Sequence, residues 1–319
     1  MKKILIKTLI VSVTVLVLPF ILTLLVKHNS GDAFLESMNY TVYYEINGNK
    51  ETIPFDSYLI GVVAANIPAS YRMEALKAQA VIARTYALYN MSKLAENSPG
   101  KSRFSTTELG LSYLNPDSLK NYWGEENYSE YYSKLENAVY GTKDKVLLYQ
   151  DSLILPLFFD TGSGYTRNAS EAWGVDIPYL VSVPSKEDVT STDYLSIREY
   201  ELPDLITALT KYYTDVTLTT DQFFDEITVA GRDSAGYVTK INLGSQTVSG
   251  EEFAKVLGLA SNHFYLEKYE NKARIICNGV GHGIGLSQYG ANAMAGEERT
   301  YSDILTYYYT DTTLADLTK

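Results

Sequence analysis

The sequence predicts an α+β fold that follows a single N-terminal membrane anchor. Three features of the 319 residues support this prediction: one long uncharged segment, several hairpin patterns, and strong helical patterns between them. Hairpins interleaved with helices, without a regular β–α alternation, are typical of the α+β class. We therefore expect an anchor, a short linker and one large exported domain.

The anchor prediction depends on residues 8–26, which carry no charge and approach the roughly 20 apolar residues that a bilayer requires. Lys2, Lys3 and Lys7 precede this segment, so the positive-inside bias keeps the N-terminus in the cytoplasm of a single-pass cell-membrane protein. A cleaved signal peptide is the alternative, but residues 27–34 offer no A-x-A-like cleavage site. The predicted parts are 1–27 (cytoplasmic tip and anchor), 28–38 (linker) and 39–319 (extracytoplasmic domain).

The exported part is acidic. The chain has 27 cationic and 38 acidic side chains, a net charge of −11. Residues 1–27 hold four lysines and no acid, which leaves 23 cations against 38 acids, or −15, beyond them. This charge argues against nucleic acid and anionic membrane surfaces as partners. The single cysteine, Cys277, cannot form an intrachain disulfide, so the fold must depend on its core.

Local patterns place the elements along the exported part. In the first of three predicted hairpins, two β-rich runs flank Asn47-Gly48, a pair that tolerates positive φ in a tight turn. A proline at position 68 should end the first helix, and residues 97–128 are predicted to be irregular. Hairpins are expected at 41–55, 145–159 and 227–243, helices at 57–66, 71–95, 129–142 and 249–259, and a strand, glycine-rich loop and two helices within 273–309.

Two cations lie close to the apolar side of the helix predicted at 71–95. With Met73 at 0°, Lys77 falls at about +40° and Arg84 at about +20°, beside the apolar stripe. A buried cation is costly unless it is paired. Either these side chains reach solvent or internal acids, or they line a cleft and position an acid or a substrate oxygen. The helical pattern leaves both interpretations open.

A glycine-rich loop is the second candidate site. Glycines alternate with apolar residues and His282 in residues 279–285, which lets the backbone approach a ligand closely. The loop lacks the spacing of a phosphate loop and the context of a dinucleotide fingerprint, and a structural role for the histidine stays open. The first turn of the following helix carries three polar candidates: Ser287, Gln288 and Tyr289.

A third polar segment, residues 158–173, follows a predicted strand. Its Ser163 is not in a G-x-S-x-G elbow and has no evident His–Asp partner, which argues against serine hydrolase chemistry. Metal binding has no clear signal either. The three histidines are scattered, and neither His-x₃₋₅-His nor Cys-x₂-Cys spacing occurs.

Three segments occur in an order that identifies a resemblance: GVVAANIPASYRMEALKAQAVIARTYAL (61–88), FFDTGSGYTRNASEAWGVDIPYLVSV (158–183) and VGHGIGLSQYGANAMA (280–295). Together they resemble the SpoIID family of sporulation proteins, which also includes amidase enhancers of bacterial cell walls. The likeness covers about residues 40–310, nearly the whole exported part. The family assignment adds an expected reaction to the predicted fold.

The resemblance implies a membrane-anchored lytic transglycosylase that cleaves peptidoglycan glycan strands already stripped of peptides by an amidase. It further implies a role in engulfment with that amidase and a multispan membrane partner, and no cofactor. One carboxyl group protonates the leaving glycosidic oxygen and then takes a proton from the C6 hydroxyl of the sugar. Some members carry a His/Cys zinc site near the region of residues 100–125, but this chain has no His or Cys there, so no metal is predicted.

The family's acid is the Glu of an A-x-E-[MI]-P motif, and this chain has Asn66 in that position. Lys77 and Arg84 match the family's helix cations and are assigned with Asn66 to the catalytic position. His282, Ser287, Gln288 and Tyr289 match the last motif. Together with three residues of the other matched segments, Tyr86, Ser163 and Tyr165, they form the predicted substrate-binding set.

An amide cannot donate a proton near neutral pH, and general acid catalysis contributes about 10²–10⁴-fold. We therefore expect peptidoglycan remodelling during sporulation with weak or absent cleavage. In one alternative another acid, Glu74 or Asp56, replaces the missing Glu. In a second the groove binds glycan as a scaffold or amidase activator, and in a third the protein is purely structural. The sequence keeps these readings open.

Overall fold

The structure is a computed structural model that describes residues 40–46 and 48–317. Within this part of the chain, helices and strands follow one another without regular β–α alternation, which confirms the α+β class. Across the same residues, every helix is too short or too polar to cross a bilayer. The anchor predicted at 8–26 and the linker at 28–38 lie outside the described residues.

The described helices include two long ones, of 25 and 26 residues, and several shorter ones. They are α1 (Phe55–Asn66), α2 (Met73–Asn97), α3 (Pro116–Gly141), α4 (Ala169–Trp173), α5 (Leu202–Tyr212), α6 (Phe223–Glu226), α7 (Gly250–Leu257), α8 (Gln288–Gly296) and α9 (Tyr301–Tyr308), with a 3₁₀ turn at Lys186–Thr190.

The described strands are short. They are β1 (Thr41–Ile46), β2 (Asn49–Ile53), β3 (Arg103–Ser105), β4 (Lys145–Tyr149), β5 (Ser152–Leu153), β6 (Phe158–Phe159), β7 (Leu195–Glu201), β8 (Ile227–Arg232), β9 (Val238–Leu243), β10 (Gln246–Ser249), β11 (Phe264–Tyr269), β12 (Lys272–Asn278), β13 (Leu286–Ser287) and β14 (Thr313–Asp316). They form small sheets in the orders β2-β1-β3, β14-β4-β5, β13-β6, β11-β12-β7 and β10-β9-β8.

Two of the three predicted hairpins are confirmed. Strands β1 and β2 pair antiparallel, as expected for a hairpin in this segment, and β8 pairs antiparallel with β9. The hairpin predicted at 145–159 is confirmed only for β4 and β5. The end of that segment, β6, instead pairs in parallel with β13, which belongs to the glycine-rich motif far along the chain. This parallel pair brings the second and third family motifs together.

The prediction that residues 97–128 are irregular is wrong for their last part, because α3 begins at Pro116. Asn115 caps this helix by accepting the N–H of Ser118 at 2.8 Å, and proline suits the first helical position. Gly124, with φ 74° and ψ 158°, interrupts the helix before the segment that the sequence predicted. The sequence analysis missed the start of this helix because Gly124 separates a short first part from a longer second part.

Helix α2 is the central element of the fold. Its residues contribute to two hydrophobic clusters, one shared with α1 and α3 and one shared with β4, α8 and α9. Small side chains on several sides of the helix let these neighbours approach closely, because alanine leaves room for a facing element. The fully buried alanines are Ala75, Ala78, Ala80, Ala83 and Ala87. A helix buried nearly all round has no open face for a cleft along this stretch.

Arg84 illustrates this burial, because its side chain has 0% exposure. Its guanidinium donates to the carbonyl oxygens of Thr142 at 2.7 Å, Val139 at 3.1 Å and Lys145 at 3.2 Å. These carbonyls lie at and just beyond the C-terminal end of α3, where helix carbonyls lack partners and a cation is favourable. Of the two interpretations left open by the sequence, these contacts favour internal pairing, and Arg84 fastens α3 to α2.

We predict that Arg84→Ala lowers the free energy of unfolding by at least about 2 kcal/mol, because buried carbonyls lose a charged donor. Urea denaturation followed by circular dichroism measures this loss. Lys93→Ala is the matched control, since Lys93 lies on the same helix but pairs with Glu96 in solvent. Equal stability of the two variants would contradict the capping role.

Candidate functional site

Asn66 is the last residue of α1 and is half-buried. Its side-chain amide donates to the carbonyl oxygens of Val62 at 2.7 Å and Ser112 at 2.9 Å, so both amide hydrogens are used. A carboxylate cannot donate, and here it would face two carbonyl oxygens and the negative end of the α1 dipole. The surroundings of position 66 therefore favour a neutral group, either an amide or a protonated acid.

Two glutamines fix the backbone of Asn66. Gln288 donates through Nε2 to the Asn66 carbonyl at 2.7 Å and to Oε1 of Gln79 at 3.1 Å. Gln79 is fully buried, so α1, α2 and α8 meet at this amide pair. Sequence reasoning selected Gln288 but missed Gln79. The sequence offered one indication of Gln79, because it is a polar residue between two alanines on an otherwise apolar stretch of α2.

The glycine-rich loop packs against backbone rather than forming an open cradle. Gly281 and Gly285 have φ of 108° and 84°. A Cβ on Gly281 would lie 2.8 Å from the Cβ of Phe159, and a Cβ on Gly285 would collide with the carbonyl of Leu157. The close approach expected of these glycines thus occurs, but towards the β6 segment. The partner is this chain's own backbone, so the geometry supports a structural use of the glycines.

His282 is held within the same packing. Its Nδ1 accepts the N–H of Ile284 at 3.1 Å, and its ring lies edge-on to Phe159. Burial, aided by the nearby Arg167 charge, lowers the pKa of His282 to about 4, so the ring is neutral near pH 7. Arg167 is itself buried, pairs with Asp233 at 2.6 Å and donates to the His282 carbonyl at 3.0 Å. These contacts favour the structural interpretation of His282.

Ser287 caps α8 and has no exposed surface. Its hydroxyl donates to the buried carboxylate of Asp188 at 2.7 Å and accepts the N–H of Gly290 at 3.1 Å. Asp188 also accepts the N–H of Gly162 at 2.8 Å. Burial raises the pKa of Asp188, although these hydrogen bonds oppose the shift. Ser287 thus serves as a buried helix cap in this structure, and its contact with substrate stays a prediction. Asp188 was missed, since it lies in a charged segment that resembles ordinary surface.

Several partly exposed polar and aromatic side chains lie near the start of α8. Tyr289 donates its N–H to the Asp160 carbonyl at 2.9 Å, and its hydroxyl lies 3.2 Å from that of Thr190. Tyr71 is half-buried on the loop that follows Asn66. Burial raises the pKa of Tyr71 to about 12, and the charge of Asp160 adds to this shift, so the phenol stays protonated. The exposed ring of Tyr165 lies on the neighbouring segment.

The remaining predicted residues make contacts in other parts of the fold. Lys77 pairs with Glu74 at 2.7 Å, and the second oxygen of Glu74 accepts the N–H of Tyr301 at 2.8 Å, so this pair fastens the start of α9. Tyr86 packs against Gly110, and Gly110 lies on the loop that carries Ser112. Ser163 donates to the carbonyl of Ala235 at 3.3 Å. The basic cleft expected from Lys77 and Arg84 is thus not formed by these two side chains.

We predict that Gly285→Ala destabilises the fold far more than Gly174→Ala. Both glycines have positive φ, which costs an alanine about 1–2 kcal/mol. A Cβ at Gly174 meets open space, whereas one at Gly285 meets the Leu157 carbonyl. Thermal unfolding of both variants measures the difference. Similar melting temperatures would show that the loop can move away from β6.

We predict that neutral His282 makes stability rise with pH. Its folded pKa of about 4 lies below the ordinary 6.5, so between these values the unfolded state binds more protons. His282→Gln should reduce the slope of unfolding free energy by up to about 1.4 kcal/mol per pH unit in this window. Urea unfolding at pH 4 to 7 tests this. His263→Gln is the comparison, since burial also lowers the pKa of His263. An unchanged slope in His282→Gln would contradict the neutral ring.

Comparison with known proteins identifies the family. The model of the stage II sporulation protein family, SpoIID, matches residues 45–149. The chain is 35% identical to stage II sporulation protein D of Bacillus amyloliquefaciens, over 84% of this chain and 76% of that protein. It is 36% identical to stage II sporulation protein D of Bacillus subtilis, over 86% and 78%.

A further relative is the amidase enhancer of Bacillus subtilis, which is 29% identical over 80% of this chain and 40% of that protein. The likeness to the two sporulation proteins extends over most of each chain, well beyond the segment that the family model matches. The resemblance stated from the three motifs is confirmed, and the chain belongs to the SpoIID family.

Proposed function

We propose that this protein is a membrane-anchored cell-wall protein of sporulation that holds peptidoglycan glycan strands in the groove beside Asn66. Its lytic transglycosylase activity is weak, because an amide occupies the position of the family's acid. The observation that carries this proposal is the bonding of Asn66, whose two amide hydrogens donate to Val62 and Ser112. These bonds hold the side chain at position 66 in place without a carboxyl group.

The family and the sequence support the proposed cellular process and membrane location. Two relatives are named for stage II of sporulation and a third for enhancing an amidase, which supports a role in cell-wall remodelling. The uncharged segment at 8–26 supports a single membrane anchor with the main domain outside the cytoplasm. In this proposal the protein acts in engulfment, beside a cell-wall amidase and a multispan membrane partner.

Partly exposed tyrosines near the start of α8 suit a polymer of sugar rings, whose charges in peptide-free glycan are its lactyl carboxylates. The rings of Tyr71, Tyr165 and Tyr289 offer apolar faces and hydroxyl groups together, as sugar rings require. Glycan strands without peptides expose such rings along their length. The acidic exported part, at −15, gives no general attraction for an anionic polymer, so recognition would come from these local contacts.

The two acids considered as replacements, Glu74 and Asp56, are poorly placed to transfer a proton beside Asn66. Glu74 is engaged by Lys77 and the Tyr301 N–H at the start of α9. Asp56 lies in the first turn of α1, whereas Asn66 ends that helix, and it is 7% exposed. The ten residues from Asp56 to Asn66 correspond to a helical rise of about 15 Å, well beyond direct proton transfer.

A second function is compatible with the same geometry. A groove that binds strands without cutting them rapidly would act as a scaffold for an amidase, or as its activator. The hydrogen bonds of Asn66 favour this alternative, since they keep position 66 neutral and ordered. Binding without turnover separates the two functions.

We predict that Asn66→Glu raises cleavage about 10²–10⁴-fold, because it restores a group able to donate and accept the proton. The full-length protein, purified in detergent, is incubated with peptide-free glycan strands, and anhydro ends are counted by mass spectrometry. Asn66→Gln is the matched control, since it has the length of glutamate without its acidity. The position-66 hypothesis fails if the natural chain cleaves as fast as Asn66→Glu, or if Asn66→Gln gains equally.

A further inference from the structure

Asp160 lies directly after β6, at the start of the polar segment that follows this strand. The parallel register pairs Phe158 with Leu286 and Phe159 with Ser287, so Asp160 comes level with the start of α8. There the N–H of Tyr289 donates to the Asp160 carbonyl at 2.9 Å. Because the neighbouring Gln288 binds the Asn66 carbonyl at 2.7 Å, Asp160 belongs to the same end of α8 as position 66.

The carboxyl group of Asp160 is oriented and accessible. One of its oxygens, Oδ1, accepts the hydroxyl of Thr161 at 2.7 Å, and the side chain is half-buried rather than enclosed. The phenol of Tyr71, which follows Asn66 on the next loop, is close enough for the two groups to interact electrostatically. Asp160, Tyr71 and Tyr289 are therefore neighbours near the start of α8.

Other carboxyl groups near Tyr71 are less suited to proton transfer. Among the described residues, the charges of three acids help to raise the pKa of the Tyr71 phenol: Asp160, Asp188 and Asp193. Asp188 has no exposed surface, and its oxygens bind Ser287 and Gly162, so it cannot reach a substrate. Asp193 is exposed on the loop before β7, where water surrounds it. Asp160 combines access with fixed orientation.

We propose that Asp160 is the catalytic carboxyl group for the slow cleavage that the natural chain performs, in place of the acid absent at position 66. This inference rests on the proposed function of the groove. The protonated carboxyl gives its proton to the glycosidic oxygen as the bond from that oxygen to C1 breaks. The resulting carboxylate takes the proton of the C6 hydroxyl as the C6 oxygen bonds to C1. One C–O bond breaks, one forms, and Asp160 regains its proton without consuming water.

The test compares two backgrounds of the full-length protein on peptide-free glycan strands. In the natural background, Asp160→Asn should lower anhydro-end formation at least about tenfold. In the Asn66→Glu background, the same substitution should have little effect, since glutamate at position 66 then transfers the proton. Asp193→Asn is the matched control and should leave both rates unchanged. Co-sedimentation with intact strands checks that every variant still binds.

Each contrary outcome has a defined meaning. If Asp160→Asn cleaves like the natural chain, or lowers the rate equally in both backgrounds, Asp160 is not the proton-transfer group. If the natural chain forms no anhydro ends while Asn66→Glu does, this inference is overturned but the glycan groove stands. If no variant binds strands, Asn66→Glu included, the proposed function fails as well.

Discussion

The site depends most on the hydrogen bonds that the buried carboxylate of Asp188 accepts. This carboxylate accepts the N–H of Gly162 and the hydroxyl of Ser287, so it joins the segment after β6 to the start of α8. A buried acid is costly unless donors surround it, and here the donors come from two distant parts of the chain. Because Ser287 also caps α8, this carboxylate fixes the position of Gln288 and Tyr289, which connect the site to Asn66 and Asp160.

A second constraint is the close packing of backbone on backbone around α2 and β6. Alanines on several sides of α2 allow its neighbours to approach, and glycines beside His282 allow the loop to lie on β6. Two residues that the sequence analysis assigned to the catalytic site instead maintain this packing. Arg84 closes the end of α3, and the Lys77–Glu74 pair fastens α9. A charged residue in a family motif can thus be structural when its partners are backbone groups.

The environment of position 66 links the fold to the proposed chemistry. Two carbonyl oxygens and the end of α1 favour a neutral group there, which is also the state that a general acid needs before it donates. An amide satisfies the same carbonyls and lacks the acidity. In the proposed function, an amide at position 66 thus preserves the structure and removes proton transfer by that residue. Any remaining cleavage would then depend on another carboxyl group near the start of α8, where partly exposed tyrosines suit a sugar polymer.

The sequence by itself determined the α+β class, the hairpin around Asn47-Gly48, the central helix and the family, because turn chemistry, helical periodicity and motif order are local properties. It could not separate a cation that caps a helix from one that lines a cleft, since Lys77 and Arg84 fall near the same stripe. It also could not reveal Asp188 or the pairing of β6 with β13. The tertiary structure decided these points, because burial and hydrogen bonds between distant segments depend on how the whole chain packs.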